Sequence, residues 1–586
     1  MLYPQNNVYR GTWKFDGYWK FALDPDARGE QDNYPADIPG DRVIAVPASW
    51  NEQSNDLYHY DRDAWYEYDF AVPYPLTGKR AVLRFSCVLY KATVYVNGKY
   101  VGASSMAHLP FEFDITDWVV AGGLNKVVVQ VSGRYQENEP MEPGDFYAYA
   151  GISRPVFLSI VNEHYIKDLQ VDTRLFDGYG RLTIGAQTTG GGRCIAEING
   201  VMQQVELVGD KAEIVMDVPD IVPWSCENPK LYQLHVKLIS EGNIVDEYTL
   251  KIGFREIRVE GRQILLNGKP VILKGFGKHE DFHIIGKGLC HALHIRDFDL
   301  MKWVGANSFR TSHYPYSEEI LDLADQYGFL VMAETPFLGL DKKKFPDAGV
   351  RLKAEAYLRA LIERDRNHPS VISWSLGNEC MTDQAEAEEF FLPLIKLAKE
   401  MDNRPLTYVA WIRPELDVVY KHVDIVGINR YYGWYRYAGW KNVTAVQGDI
   451  TNGLKDMEKC LEEFAEIYQG PIMVTEFGAD TIAGMHSTFL LQFTEEFQTR
   501  FLTEYIKLMA QKDYVAGMHI WNFADFATEQ NAGRVMGNKK GLFTRERGPK
   551  QAAFAVRKLW TEEDGDGLSG LTVDPKDLFL IPGLNL

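Results

Sequence analysis

The chain has 586 residues and a formal net charge of −19, from 81 Asp and Glu against 62 Lys and Arg. With 46% hydrophobic and 24% charged residues it has a globular composition, and its length asks for about three or four ordinary domains, fewer if one is a barrel. The acidic balance argues against nucleic acid and anionic membranes as partners, and no apolar run is long enough for a transmembrane helix.

The N-terminal stretch MLYPQNNVYRGTWKF lacks the apolar segment and small-residue cleavage site of a signal peptide. Six cysteines (Cys87, Cys194, Cys226, Cys290, Cys380 and Cys460) lie far apart with no C-x-x-C spacing. They read as free thiols in a reducing compartment, so a cytoplasmic location is expected. Residues 1–162 read as β structure: AVLRFSC, KATVYVNGKYVG and NKVVVQVSG are strand-like, and Asn97-Gly98 marks a two-residue hairpin turn. Between 163 and 255, shorter alternating runs (GRLTIGAQ, RCIAEING, KAEIVMDV, LYQLHVKLI, DEYTLKIG) predict a β-sandwich of immunoglobulin-like size.

From residue 256 apolar runs alternate with helical patterns. Strand candidates begin at 271, 307, 329, 370, 405, 424, 471 and 515, and helices are predicted around 353–364, 385–400, 454–468, 489–511 and 551–560. The interval between the fifth and sixth strands carries only a weak helical signal. Near-continuous apolar strands between helices indicate a parallel sheet, and eight such units a (β/α)8 TIM barrel over 256–565. The last residues, 566–586, read as a loop-rich tail.

In such a barrel the chemistry sits where strands end and βα loops begin. SVISWSLGNE ends in Asn378-Glu379 and PIMVTEFG contains Glu476. Asn-Glu alone is uninformative, since it recurs at Asn51-Glu52, Asn138-Glu139 and Asn162-Glu163. A lone strand-end glutamate is as readily a salt-bridged structural residue. Two of them, on strands four and seven of one barrel mouth, fit glycosidic bond cleavage, which needs one protonated acid and one ionised nucleophile. Strand two ends in Arg310-Thr311-Ser312-His313-Tyr314, strand six in Asn429-Arg430-Tyr431-Tyr432-Gly433-Trp434-Tyr435, and strand eight in Trp521-Asn522. A tyrosine here can hold a carboxylate ionised, and Trp521 offers a face to a sugar ring; each could equally be core. Downstream, the glycine-flanked loop Gly537-Asn538-Lys539-Lys540-Gly541 is either a solvated turn or an anion site.

Taken together, FGKHED, RTSHYPY, HPSVISWSLGNE, NRYYGWY, VTEFGAD, IWNFADF and GNKKGLFTRERGPK resemble the family 2 glycoside hydrolases, in the branch that acts on β-glucuronides. PWSCENPKLYQLHVKL and GDFYAYAGISRPV extend the resemblance over nearly the whole chain. It implies a jelly-roll sugar-binding-like domain, an immunoglobulin-like sandwich and a catalytic TIM barrel. It further implies retaining hydrolysis of β-glucuronides without a cofactor or metal, by a homo-oligomer, often a tetramer in relatives. Glu379 would be the acid/base, Glu476 the nucleophile, and Asn378 the partner of the sugar 2-hydroxyl. Asn538 and Lys540 would read the uronate carboxylate, with Tyr435 and Arg534 assisting. Asp145 and His313 would hold ring hydroxyls, Tyr431 and Trp521 would line the pocket, and Lys539 would be solvated. Two departures stand out: Cys380 follows Glu379 where relatives commonly have proline, and the segment after strand three is short, which leaves the preferred aglycone size open.

Four other readings remain. His279, Glu280, Asp281, His283, His291, His294, Asp297 and Asp299 are dense in potential metal ligands, but their spacing fits neither H-x-H nor H-E-x-x-H. Cys380 could be a nucleophile with His519 or His422 as base. The barrel could be a carbohydrate-binding protein without turnover. Within the glycosidases, a galacturonide or a neutral galactoside could be the substrate.

Overall fold

In a computed structural model of the chain, residues 2–435, 449–531 and 533–561 are described. The tail expected at 566–586 lies outside them.

The N-terminal region is a sandwich of two antiparallel sheets. One runs in the order Val43–Val46, Gly17–Asp24, Asp63–Ala71, Leu124–Ser132, Lys91–Val96, Lys99–Ser104; the other in the order Gly11–Lys14, Val156–Asn162, Lys79–Phe85, Phe111–Asp114. Val127, Val129 and Val131 face the sandwich core, while Val128 on the opposite face packs with Trp65 and Tyr95. The predicted hairpin forms at Asn97 (φ 50°) and Gly98 (φ 75°), the two positive φ angles that match the twist of the flanking strands.

The next sandwich opposes three strands (Ile166–Phe176, Tyr179–Thr188, Lys211–Pro219) to four (Val201–Glu206, Arg193–Ile198, Tyr232–Ser240, Asn243–Ile252). Strand Lys211–Pro219 shows why: Ala212, Ile214, Met216 and Val218 are buried and their neighbours exposed, a period of two.

The barrel is closed and parallel. Its strands one to eight are Leu273–Lys278, Ser308–Thr311, Leu330–Glu334, Val371–Asn378, Leu406–Ala410, Ile425–Asn429, Ile472–Phe477 and Val515–Ile520. Strands two to eight are buried at every residue, which is why most of them read as near-continuous apolar runs; strand two, Ser308-Phe309-Arg310-Thr311, is buried but largely polar. Helices α1 (His291–Val304), α2 (Glu318–Tyr327), α3 (Ala348–Asp365), α4 (Ala385–Met401), α5 (Ile450–Ile467), α6 (Glu495–Ala510) and α7 (Gln551–Thr561) surround it. Between strands five and six there is only a short turn of 3-10 helix, Tyr420–His422. Helix α6 starts later than the expected 489. Thr494 caps it by accepting from the Phe497 N–H at 3.3 Å, and Glu495 and Glu496 complement the positive end of its dipole, so the chain enters the helix only there.

A small antiparallel sheet (Ile257–Glu260, Gln263–Leu266, Lys269–Pro270) closes the N-terminal end of the barrel. Ile264 and Leu266 pack with Trp224 against Leu273, Leu330, Ile372, Ile425, Met473 and Ala516, all near strand starts. The opposite end meets the first sandwich through two ion pairs, Arg154 with Glu280 at 2.8 Å and Arg545 with Glu52 at 2.6 Å. Within the barrel, Arg545 also binds Asp281 at 2.5 Å, and Asp297 takes Lys278 at 3.0 Å and Arg547 at 2.8 Å. His279 Nδ1 lies 3.1 Å from the Tyr314 hydroxyl. The ligand-rich KHEDFH segment is therefore occupied in docking the sandwich onto the barrel.

Gly275, in strand one, tests how tightly the barrel closes. A Cβ there would lie 1.7 Å from the Ser308 carbonyl oxygen, backbone that cannot move without opening the pair of strands. Gly275→Ala is expected to destabilise the barrel by about 1–3 kcal/mol or more, read as a lowered thermal unfolding midpoint.

Candidate active site

Three of the strands that carry the site residues lose regular register at their C-terminal ends. Shifts fall between Ser375 and Asn378, between Ile428 and Asn429, and between Val474 and Phe477. Such bulges re-aim side chains, and here they occur where Asn378, Asn429 and Glu476 sit. Glu379 follows with φ 54°, a left-handed conformation that costs a non-glycine residue about 1–3 kcal/mol and persists only where the surroundings enforce it. Its N–H donates to the Val409 carbonyl at 2.8 Å.

The two glutamates have unlike partners. Glu476 accepts from Arg310 Nη2 at 2.5 Å and from the Tyr431 hydroxyl at 2.7 Å. Glu379 accepts only an amide donor, Asn429 Nδ2 at 2.8 Å, among the hydrogen bonds of the described residues. Burial raises both carboxyls above their ordinary range, and Glu379 raises Glu476 further. Two such groups titrate as a pair, and their donors decide where a shared proton resides. A guanidinium and a phenol favour the anion on Glu476, and a single neutral amide leaves the proton to Glu379.

Asn378 is held by its oxygen: Asn429 Nδ2 donates to Oδ1 at 3.1 Å, and Arg310 Nη1 lies 3.4 Å away. Thr475 Oγ1 donates to Asn429 Oδ1 at 2.9 Å, so the amide orientations follow from the network. His313 is buried between Glu334, 2.8 Å from its Nδ1, and Trp521, whose ring stacks on it at 5.1 Å and 19°. Its Nε2 lies 3.8 Å from Glu476. Trp521 thus has one face covered by protein.

The glycine-flanked loop is no solvated turn. Asn538 and Lys540 are buried, and Lys540 Nζ lies 2.5 Å from Asp480 and 4.9 Å from the centre of the Tyr435 ring. Burial pulls the Lys540 ammonium down, but Asp480 outweighs it and keeps the group above its ordinary value. Arg534 binds Asp145 at 2.6 Å, donates to the Tyr435 hydroxyl at 2.5 Å and lies 3.7 Å from Asp480. Asn538 Nδ2 donates to Asp145 at 3.0 Å. Two cations, an amide and a phenol therefore converge with two carboxylates, and Asp145 reaches in from the first sandwich.

All eleven expected site residues meet at this mouth, with three differences in detail. Asp145 engages Arg534 and Asn538, the groups expected to read a carboxylate, rather than an open hydroxyl subsite. Lys540, expected to read a uronate, already has a carboxylate of its own in Asp480, so a neutral sugar would not leave its ammonium unpaired. Lys539 is half-buried, with Nζ 3.9 Å from Asp525, rather than simply solvated. Four contributors were not singled out as site residues. Arg310 and Asn429 stood in the strand-end motifs, Asp480 closes VTEFGAD, and Glu334 ends strand three in FLVMAET, a third strand-end carboxylate. Cys380 donates weakly to the Phe337 and Asn378 carbonyls, and burial pushes its thiol up to about 12, against a nucleophilic role. His519 lies at 3.0 Å from Ser308, and His422 at 2.8 Å from Glu388.

A parallel barrel whose mouth holds two buried carboxylates of unlike donor sets, next to hydrogen-bonding and aromatic groups, defines a glycoside hydrolase. The chain belongs to glycosyl hydrolase family 2. Residues 257–563 match the family's TIM barrel domain, 13–161 its sugar binding domain and 164–255 a further family 2 domain. It is similar to the β-glucuronidases of Paenibacillus borealis (37% identity, covering 96% of this chain and 99% of that one) and Sus scrofa (36%, 96% and 92%). Among solved structures it resembles Ruminococcus gnavus β-glucuronidase (TM-score 0.90, 34% identity, 96% and 98% coverage) and the same enzyme in complex with D-glucuronic acid (0.88, 34%, 95% and 99%).

The two ion pairs of the clamp differ in burial, and their removal should differ in cost. Asp480→Asn leaves Lys540 buried without its partner and is expected to cost about 3–5 kcal/mol. Asp145→Asn removes a half-exposed partner of Arg534 and is expected to cost less than about 1 kcal/mol. Thermal unfolding midpoints of the two variants against wild type check the ordering.

Proposed function

We propose that the protein hydrolyses β-D-glucuronides with retention, releasing glucuronate and an aglycone alcohol. The observation that carries this reading is the adjacency of the Glu379/Glu476 pair to a clamp built from Arg534, Asn538, Lys540 and Tyr435. Glu476, ionised by Arg310 and Tyr431, attacks the anomeric carbon while Glu379 gives its proton to the departing glycosidic oxygen. The glycosyl–enzyme ester forms and the aglycone leaves as an alcohol. Glu379, now a carboxylate, takes a proton from water, which attacks the anomeric carbon and returns Glu476 to its anion. No step requires a cofactor or a metal.

Asn378, its oxygen held by Asn429 and Arg310, presents Nδ2 to the 2-hydroxyl, a contact that strengthens in the transition state. Asn538 and Lys540 bind the uronate carboxylate with Arg534 and the Tyr435 hydroxyl, in charge-assisted hydrogen bonds. Asp145 and His313 serve ring hydroxyls, Asp145 after exchanging its hold on Arg534 and Asn538 for the sugar. Tyr431 supports the nucleophile, and Trp521 walls the pocket. The reading further includes a division at residues 1–162, 163–255 and 256–565, a cytoplasmic location and a homotetramer, the last checked by light scattering. In keeping with the location, all six cysteines are free thiols, and no helix among the described residues is long and apolar enough to cross a membrane.

The decisive comparison is kcat/KM on p-nitrophenyl β-glucuronide, β-galacturonide and β-galactoside, with and without chelator. The expected outcome is a strong glucuronide preference that the chelator leaves unchanged. Preference for the galacturonide would keep the clamp and change the sugar, and dominance of the galactoside would remove the anion-reading role. Lys540→Ala should lower glucuronide turnover by about one to two decades, the worth of a charge-assisted contact of about 1.5–3 kcal/mol, and galactoside turnover far less.

The proton assignment makes a separate prediction. Activity requires Glu476 ionised and Glu379 protonated, so kcat/KM should fall at low pH as Glu476 protonates and at high pH as Glu379 loses its proton. Glu379→Gln should abolish the alkaline limb and slow aryl glucuronides with poor leaving groups more than those with good ones, as pH–rate profiles on both substrate types would show.

A further inference from the structure

The third carboxylate of the barrel mouth, Glu334, belongs to neither half of the catalytic pair nor to the clamp. It is the last residue of strand three and is fully buried. Both of its oxygens accept from Arg310 Nη1 at 2.9 Å; Oε1 also takes His313 Nδ1 at 2.8 Å, and Oε2 takes Ser375 Oγ at 2.7 Å. Its backbone N–H is tied to Thr311 Oγ1 at 2.9 Å. Arg310, itself fully buried, reaches the nucleophile with its other terminal nitrogen, Nη2 to Glu476 at 2.5 Å. One guanidinium is thus stretched between two carboxylates.

We propose that Glu334 is a positioning residue for the nucleophile: it anchors Arg310 and shares its charge, so that Glu476 is ionised without being locked into an exclusive ion pair. The inference rests on the glycosidase reading above. An arginine facing a single buried carboxylate would hold that carboxylate strongly as the anion, and a more stabilised anion is a weaker nucleophile. A second carboxylate on the opposite edge of the guanidinium reduces its pull on the first. Glu334 is fitted to remain charged in this role. Burial pushes its carboxyl up, but Arg310, His313 and Ser375 outweigh burial and hold it below the ordinary carboxylate range.

The same carboxylate fixes His313. Its Nδ1 faces Glu334 at 2.8 Å and Arg310 Nη1 at 3.1 Å; the shorter contact, to the carboxylate, favours the tautomer protonated at Nδ1, with Nε2 3.8 Å from Glu476. Burial holds this imidazole neutral, so it adds no second cation beside the nucleophile. Arg310 is then the cation that sets the charge of Glu476, and Glu334 is what moderates it.

A merely structural Glu334 would neutralise Arg310 for stability and leave the titration of the nucleophile alone. The test is the acid limb of kcat/KM on a β-glucuronide, with the rate of trapping by a 2-fluoro glucuronide, for Glu334→Gln, Ser375→Ala and wild type. E334Q keeps an acceptor for Arg310 but removes the shared charge. Its acid limb should move to lower pH by about half a unit or more, and trapping should slow by about twofold or more. S375A keeps all three charges, so its limb should stay where wild type has it. An E334Q limb that does not move, or an equal movement in S375A, overturns the proposal. If E334Q does not fold, Glu334→Asp carries the test. Its carboxylate is withdrawn by one methylene, so the limb should shift the same way by less, and an unmoved limb overturns the proposal there too. Wild type is measured first: if it neither turns over a glucuronide nor labels at Glu476, the glycosidase reading fails, whereas turnover with unmoved limbs fails Glu334 alone.

Discussion

Arg310 is the cation around which the barrel mouth is organised. Three buried or half-buried glutamates (Glu334, Glu379 and Glu476) converge where water is scarce and like charges repel strongly, and Arg310 bonds directly to two of them. An isolated carboxylate in such a place would take up a proton. The inequality of supply does the chemistry. Glu334 and Glu476 receive the guanidinium, Glu379 receives an amide, and the proton goes where charge is least stabilised. A fold that treated the three alike would have no acid and no base at neutral pH.

That inequality is a product of backbone geometry. Parallel strands buried throughout place side chains alternately inward and outward, which would send adjacent groups to opposite faces. The register shifts at the C-terminal ends of strands four, six and seven, and the left-handed turn at Glu379, break the alternation where the site residues sit. The barrel's other end also has register shifts, between Val331 and Met332 and between Ile472 and Met473, but it carries none of these site residues. It is filled by Trp224 and by Ile264 and Leu266 of the small sheet. Stability and chemistry are separated along the strand axis, so strain at the mouth is carried by a scaffold packed elsewhere.

The fold was legible because its signals are local. Each barrel strand begins within two residues of its expected position, since most strands buried on both faces are near-continuous apolar runs whatever their neighbours. The start of α6 was misjudged because aromatic and aliphatic residues at 489–493 continue the helical pattern past a cap that only Thr494 and its acidic followers mark. The site divides in the same way. Glu379 and Glu476 were legible as strand-end carboxylates within motifs. Glu334 ends a strand as plainly, but its importance lies in Arg310, 24 positions away, and nothing in FLVMAET announces that contact. Asp480 was hidden because its proximity to Lys540 spans 60 positions.

Asp480 changes the physical basis of sugar selection. A buried lysine with no partner would reject a neutral C6 group by being left uncompensated; a lysine already paired at 2.5 Å is not stranded by the wrong sugar. Discrimination then depends on the whole clamp. Lys540 and Arg534 are balanced by Asp480 and Asp145, and a uronate adds one negative charge to a neutral constellation. That addition is favourable only if one of the resident carboxylates yields its donors. Asp480 is buried and bound to the backbone N–H of Lys539 as well as to Lys540, whereas Asp145 is half-exposed and sits on a loop of another domain. Asp145 is the carboxylate able to move, and the hydroxyls of the sugar ring are what it can move to. On the reading proposed above, recognition of the acid group and recognition of the ring are coupled through that residue, which ties the first sandwich to the barrel mouth through Arg534 and Asn538.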